Sequence, residues 1–354
     1  MSLMERYIIG HVLRSILLVL LVIIGLDCLM AFLDQLSNLN DFYTLSGAMS
    51  YVAWTFPRRV YEFIPMSSLV GAMLGLGLLA SHSELTVMRA AGFSTARILL
   101  AVFKPVALLA LGGMLLGQYV APMTEQRAQS VRAVAMAGGG MVFSRAGLWH
   151  KEGSMFIHIN AVESGEKLHG ITRYLFDDNK QLRESSFAQS AEYDPQGYWL
   201  LRSIEHSFLS ENEVRSESRL QERWDSGLTP ELLAVVVVEP GDLSITGLYE
   251  YSTYLEAQGV KADTYQLAFW AKLLQPLSIG ALVLIGVSFI FGPLRSVSVG
   301  QRIITGVVIG LVFKFGQDLL GPASSVFGFP PLFATLLPIL ISVMVGSLLL
   351  KRAG

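Results

Sequence analysis

The sequence predicts an α-helical polytopic membrane protein of about six transmembrane helices, with an all-β, jellyroll-like domain inserted between the third and the fourth. Three observations predict it. Apolar stretches of about 20 residues recur toward both ends of the chain, each long enough to cross a hydrocarbon core of about 30 Å at about 1.5 Å per residue. The middle, roughly residues 123–265, has none. Within that middle, apolar and polar residues alternate with period two between clusters of turn residues.

The first span runs from about Ile8 to Leu33. It is too long for the apolar region of a signal peptide and lacks a small-x-small cleavage site close behind it, so it reads as retained. The second and third run from about Val60 to Ala80 and Ile98 to Val120, and the last three from about Phe269 to Phe291, Ile303 to Leu320 and Phe333 to Leu350. Arg6, Arg89, Arg97, Arg295, Arg302, Lys351 and Arg352 all fall on one side if the N-terminus is cytoplasmic, whereas the turn from Pro322 to Pro331 carries no Lys or Arg. Both termini are therefore expected in the cytoplasm and the middle segment outside. Arg58 and Arg59 depart from the charge rule.

The organisation that follows is residues 1–122 for spans one to three, with a short cytoplasmic helix near 82–93. Residues 123–265 form the outer β domain and a return helix, and 266–354 the last three spans. Strands are expected at Met155–Ile159, Ile171–Phe176 and around Tyr198–Leu201, with turns at Glu152-Gly153-Ser154, Asp177-Asp178-Asn179 and Asp194-Pro195-Gln196-Gly197. The turn intervals suit an antiparallel sandwich or roll. After Pro240, the spacing of Leu248, Tyr251, Tyr254 and Leu255 predicts an amphipathic helix leading back to the membrane.

Composition narrows the function. With 52% hydrophobic and 15% charged residues the chain is too apolar for a soluble globule. A formal net charge of −2, without Lys/Arg runs interleaved with aromatics, excludes a generally basic nucleic-acid binder. The single cysteine, Cys28, lies in the first span, so the outer domain is expected to hold by packing, without an internal disulfide or a cysteine zinc site. No Gly-x-x-x-x-Gly-Lys-Ser/Thr loop is present, so ATP hydrolysis by this chain is not expected. Nor is there a His-Glu-x-x-His helix or a Gly-x-Ser-x-Gly elbow, and His11, His82, His150, His158, His169 and His206 lack metal-ligand spacing. His150 and His158 fall on predicted strands and read as ordinary domain residues. No catalytic, cofactor-binding or metal-binding residues are expected here.

Between spans two and three, Ser81 to Gly92 has a Ser-x-x-Glu capping box, Ser81 to Glu84, and a glycine stop at Gly92. So short a helix is marginal alone in water, so Leu85, Met88 and Ala91 need cover. A docked partner is one answer and a simple surface turn the other. Gly71, Gly75, Gly77, Gly113, Gly117, Gly306 and Gly310 lie in the spans and suit close helix contact. Basic residues at the outer membrane edge, Arg58, Arg59, Lys272 and Lys314, are candidates for an anionic lipid headgroup. Against that, Lys314 and Asp318 stand four apart and suit pairing with each other, and Lys272 suits snorkelling to the interface.

Three stretches together carry a resemblance: Ser83-Glu84-Leu85-Thr86-Val87-Met88-Arg89-Ala90-Ala91-Gly92-Phe93, Tyr265-Gln266-Leu267-Ala268-Phe269-Trp270-Ala271-Lys272-Leu273-Leu274-Gln275-Pro276 and Phe291-Gly292-Pro293-Leu294-Arg295-Ser296. In this layout of spans, they resemble the LptF/LptG family of lipopolysaccharide-export ABC transporter permeases of the Gram-negative inner membrane. The resemblance implies a heterodimer with an LptF-like permease, a dimeric LptB-like ATPase on the cytoplasmic side holding the ATP and Mg, and an LptC-like single-span protein. It also implies a periplasmic β-jellyroll that passes lipopolysaccharide to a bridge, and lateral gates at the first and fifth spans. The short helix then becomes the coupling helix, with Glu84, Leu85, Met88, Arg89 and Gly92 as its ATPase-coupling residues. One departure stands out: family members carry lysines near the outer end of the first span, whereas Ala31 to Asn38 here has none. Headgroup contact is therefore expected from Arg58, Arg59, Lys272 and Lys314.

Energetics suit an exporter. At about 0.8 kcal/mol per buried methylene, drawing a multi-chain lipid into water unshielded costs on the order of tens of kcal/mol. A permease for another lipid or lipoprotein, a transporter not coupled to ATP and a membrane scaffold are the alternatives. An ion-coupled transporter calls for charges near the bilayer midplane, and the spans read as mostly uncharged away from their ends.

Overall fold

The computed structural model describes residues 3–39, 43–136, 143–163, 167–177, 179–209, 213–230, 233, 239–257, 259–292 and 297–353. Helices α1 (Leu3–Leu36), α2 (Leu45–Ser81), α3 (Glu84–Ala90) and α4 (Thr95–Leu115) come first. A π-helical turn, Leu116–Val120, joins α4 to α5 (Ala121–Met136), so the third apolar helix continues through Gln129. Strands β1 (Phe143–Glu152), β2 (Met155–Glu163), β3 (Lys167–Phe176), β4 (Leu182–Asp194), β5 (Tyr198–Leu209) and β6 (Val214–Trp224) follow. A 3-10 turn, Pro240–Asp242, leads to α6 (Ile245–Ala257), α7 (Asp263–Leu273), α8 (Gln275–Phe291), α9 (Val299–Phe327) and α10 (Pro331–Ala353).

Among the described residues, five helices are long and apolar enough to cross a membrane: α1, α2, α4 with α5, α9 and α10. The fourth expected span, written above as one stretch from Phe269 to Phe291, is a broken pair: α7 and α8 meet at a bend of 56°. The reason is Pro276 in the first turn of α8, which has no N–H to continue the ladder of α7.

The six strands form one antiparallel sheet in sequence order, β1-β2-β3-β4-β5-β6. Its turns fall at the expected places: Gly153 (φ 60°) and Gly197 (φ 92°) supply left-handed backbone between β1 and β2 and between β4 and β5. Asp178, part of the third expected turn, lies outside the described residues. Paired positions Ile159, Ile171, Ala188 and Ile204 make one buried row and Leu168, Ala191 and Leu201 another. These rows belong to one buried cluster with Trp199, Trp224, Leu228 and Leu233. After β6 the chain returns to β1, where the Glu152 carboxylate accepts from Ser226 Oγ (2.7 Å) and Gly227 N (2.6 Å), and the Trp199 indole donates to Leu228 O at 2.6 Å. His150 and His158 sit on β1 and β2 as expected, and His150 Nε2 meets Tyr254 Oη of α6 at 3.0 Å.

The spans assemble around α2. One core joins Ile8, Val12 and Ile16 of α1, Leu69 to Leu79 of α2, Ile98 to Val106 of α4 and Ile279 to Ile290 of α8. The α1 and α2 backbones touch: a Cβ on Gly71 would stand 2.4 Å from Ile16 Cα, and one on Gly75 3.0 Å from Val12 Cα. Small residues at that spacing let two spans gain dispersion contact where apolar burial gives no drive. Gly71→Ala is therefore expected to cost about 1–3 kcal/mol and to lower the melting temperature in detergent. Gly10→Ala, whose Cβ meets nothing within 4 Å, should leave it unchanged.

Candidate functional site

Two places gather most of the residues singled out in the sequence: the turn between α2 and α4, and the junction where the chain returns from the sheet to the spans.

At the turn, α3 is a helix as expected, but its start differs. Helix α2 runs on to Ser81, whose hydroxyl donates to Leu78 O at 2.8 Å, so Ser81 ends α2 and caps nothing. The N-cap is Ser83, held at φ 62° with no side-chain cap bond. The end is as expected: Gly92 (φ 87°) lets its own N–H reach Arg89 O and the Phe93 N–H reach Met88 O, both at 3.0 Å, a Schellman close. Leu85, Met88 and Phe93 pack into the chain's own core. The cover they need comes from within. Ala91 remains exposed, as do Thr86, Arg89, Ala90 and Gly92, and Val87 is 66% exposed. Glu84 is half-buried, beside Tyr7 of α1 and 4.0 Å from His82 Nδ1.

At the junction, Arg58 of α2 lies 3.1 Å from Glu125 of α5, an ionic contact not aligned as a hydrogen bond, and 3.6 Å from Asp242. Glu125 is 1% exposed. Lys272 of α7 is buried, donates to Leu243 O at 2.6 Å and stands over the Tyr61 ring at 5.2 Å. The π-helical turn places Gln118 so that its amide oxygen accepts from Ile245 N (2.8 Å) at the start of α6 and its nitrogen donates to Thr246 Oγ1 (3.0 Å). Helices α2, α5, α6 and α7 and the π-helical turn thus share one polar knot around the 3-10 turn.

Of the four basic candidates, the structure brings Arg58 and Lys272 together at this knot. Arg59, one residue on, points to α1, where it pairs with Asp27, and its Nε donates to Thr55 Oγ1 at 3.1 Å. Lys314 lies on the exposed face of α9, 3.6 Å from Asp318, the pairing weighed above. The reading of the spans as uncharged away from their ends overlooked Asp27. That residue was the available signal, because an ionisable group in a span calls for a partner. Glu125 and Asp242 gave no such signal, lying in polar sequence among many acids.

A family model described as lipopolysaccharide export system permease LptF/LptG matches residues 6–352. The chain belongs to this family. Lipopolysaccharide export system permease protein LptG of Escherichia coli K12 is 39% identical over 352 residues, covering 99% of this chain and 98% of that protein. LptG of Haemophilus influenzae is 36% identical over 351 residues, with the same coverage. Of the stretches that carried the LptF/LptG resemblance, the first is α3 with its flanks and the second is α7 with the bend into α8. In the third, Pro293, Leu294, Arg295 and Ser296 lie outside the described residues. The inserted all-β unit of this family member is present as the six-stranded sheet.

Burial raises the Asp242 carboxyl from 3.8 to about 6, with nearby Arg58 opposing. A carboxyl whose folded value exceeds its unfolded one binds more protons when folded, so its contribution to stability falls as pH rises through that interval. Asp242→Asn, which stays neutral, should therefore gain in melting temperature relative to the native protein between about pH 4 and about pH 6.5. A difference that does not change with pH refutes this.

Proposed function

We propose that this chain is the permease subunit of an ATP-driven exporter that extracts lipopolysaccharide from the outer leaflet of the inner membrane and passes it to a periplasmic bridge. The observation that carries the reading is the match of 39% identity over 99% of the chain to a protein named for lipopolysaccharide export. The partners are an LptF-like permease, a dimeric LptB-like ATPase and an LptC-like single-span protein, with ATP and Mg held by the ATPase. Both termini and α3 face the cytoplasm, and the sheet faces the periplasm. The gates lie at α1 and α9.

In this reading α3 is the coupling helix. Leu85 and Met88 seat it on the core, while Glu84, Arg89 and Gly92, together with Val87, form the face offered to the ATPase. That division suits a lever: one side is anchored among the spans and the other is free to be driven. Glu84→Ala is expected to leave the chain folded, because the side chain is partly exposed, and to cut lipopolysaccharide release from the reconstituted complex at least about tenfold, the loss of about 1.4 kcal/mol of coupling. Co-purification of the ATPase, its hydrolysis rate and lipid release are the measurements. Unchanged release sinks the coupling role, and lipid movement that follows an ion gradient sinks the exporter.

The headgroup role stays with Arg58, Arg59, Lys272 and Lys314, of which Arg58 and Lys314 keep the most exposed side chains (30% and 61%). Reversing the charge at Lys314 with Lys314→Glu should lower photo-crosslinking to lipopolysaccharide several-fold without loss of assembly. Equal crosslinking excludes Lys314.

A further inference from the structure

Arg302 carries an inference that positive-inside counting does not reach. It is 1% exposed, one of the largest fully buried side chains described, yet it stands in the first turn of α9, one residue after Gln301, whose N–H is accepted by the Ser298 hydroxyl. A cation there opposes the dipole of its own helix, and burial costs it its hydration. Part of the compensation comes from α2. Arg302 Nη1 donates to the Gly77 carbonyl, near the C-terminal end of α2 where the helix dipole favours a cation. The fit is tight, since a Cβ on Gly77 would lie 2.8 Å from both Cδ and Nη1 of Arg302.

Further along, α9 lies against α2 through its own glycines: a Cβ on Gly306 would stand 3.0 Å from Met73 Sδ, and one on Gly310 3.4 Å from Met66 Cγ. Another face is open, with Ile304, Val308, Val312 and Phe315 exposed. An apolar residue would fill position 302 without the desolvation cost, so packing alone does not account for an arginine. A directional, hydrogen-bonded tie does.

We infer that Arg302 is a positioning residue that ties the start of α9 to the end of α2, so that displacement of α3, which begins seven residues after Gly77, moves α9 with it. The inference rests on the exporter reading. Breaking the tie uncouples ATP hydrolysis from lipid movement while leaving both machines assembled.

The test uses the full complex in proteoliposomes, with lipopolysaccharide released per ATP hydrolysed as the readout. Arg302→Met and Gly77→Ala should assemble, hydrolyse ATP within about twofold of native and release at least about fivefold less lipid per ATP. Arg302→Lys, which keeps the charge but not the fork of donors, should fall between. Native release per ATP in Arg302→Met, hydrolysis and release falling in proportion, or failure of all three variants to assemble overturns the inference. If the native complex neither retains an ATPase nor releases lipopolysaccharide, the exporter reading fails first and the inference falls with it.

Discussion

Helix α2 is held so close to α1 that at Gly71 no side chain fits between them, and the rest of the membrane part is arranged around that contact. In a bilayer, apolar surface gains little by leaving lipid for protein, so helices associate through dispersion contact and through polar groups that have no better partner. The glycine face of α2 provides the first. It also leaves the remaining faces of α2 to meet α4, α8 and α9.

The polar groups follow the same logic. Asp27 with Arg59, Arg302 with the Gly77 carbonyl, and Lys272 with the Leu243 carbonyl each put a buried group against a partner on another element. Each also joins segments far apart in sequence. Such contacts contribute little net stability, because desolvation offsets much of the attraction, but a wrongly placed helix leaves a charge stranded. They therefore set where the helices stop sliding. At the junction the same device fastens the return from the sheet to α2 and α5.

The short helix α3 shows how local and tertiary forces divide the work. Its end is written locally, in the left-handed Gly92 and the Phe93 that folds back on Met88. Its start is not: the Ser81 signal was absorbed by the extension of α2, and the turn was made instead at Ser83 against local preference. The inward face then takes Leu85 and Met88, which leaves Val87 outside. A helix seated this way offers a partner a rigid surface rather than a disordered one.

The sequence by itself determined the class of fold: apolar runs of membrane length, period-two alternation with glycine turns, and the family, through stretches at α3 and at the bend before α8. These are local properties, because span length, strand alternation and turn chemistry each depend on a few neighbouring residues. Only the tertiary structure decided which charges are partners and which are surface. Arg58 and Arg59 are adjacent in the chain yet diverge to α5 and α1, and Arg302 reads as one more cytoplasmic arginine until Gly77 comes to meet it. Partner choice depends on which faces two distant helices bring together, and that geometry has no period within either helix from which it could be read.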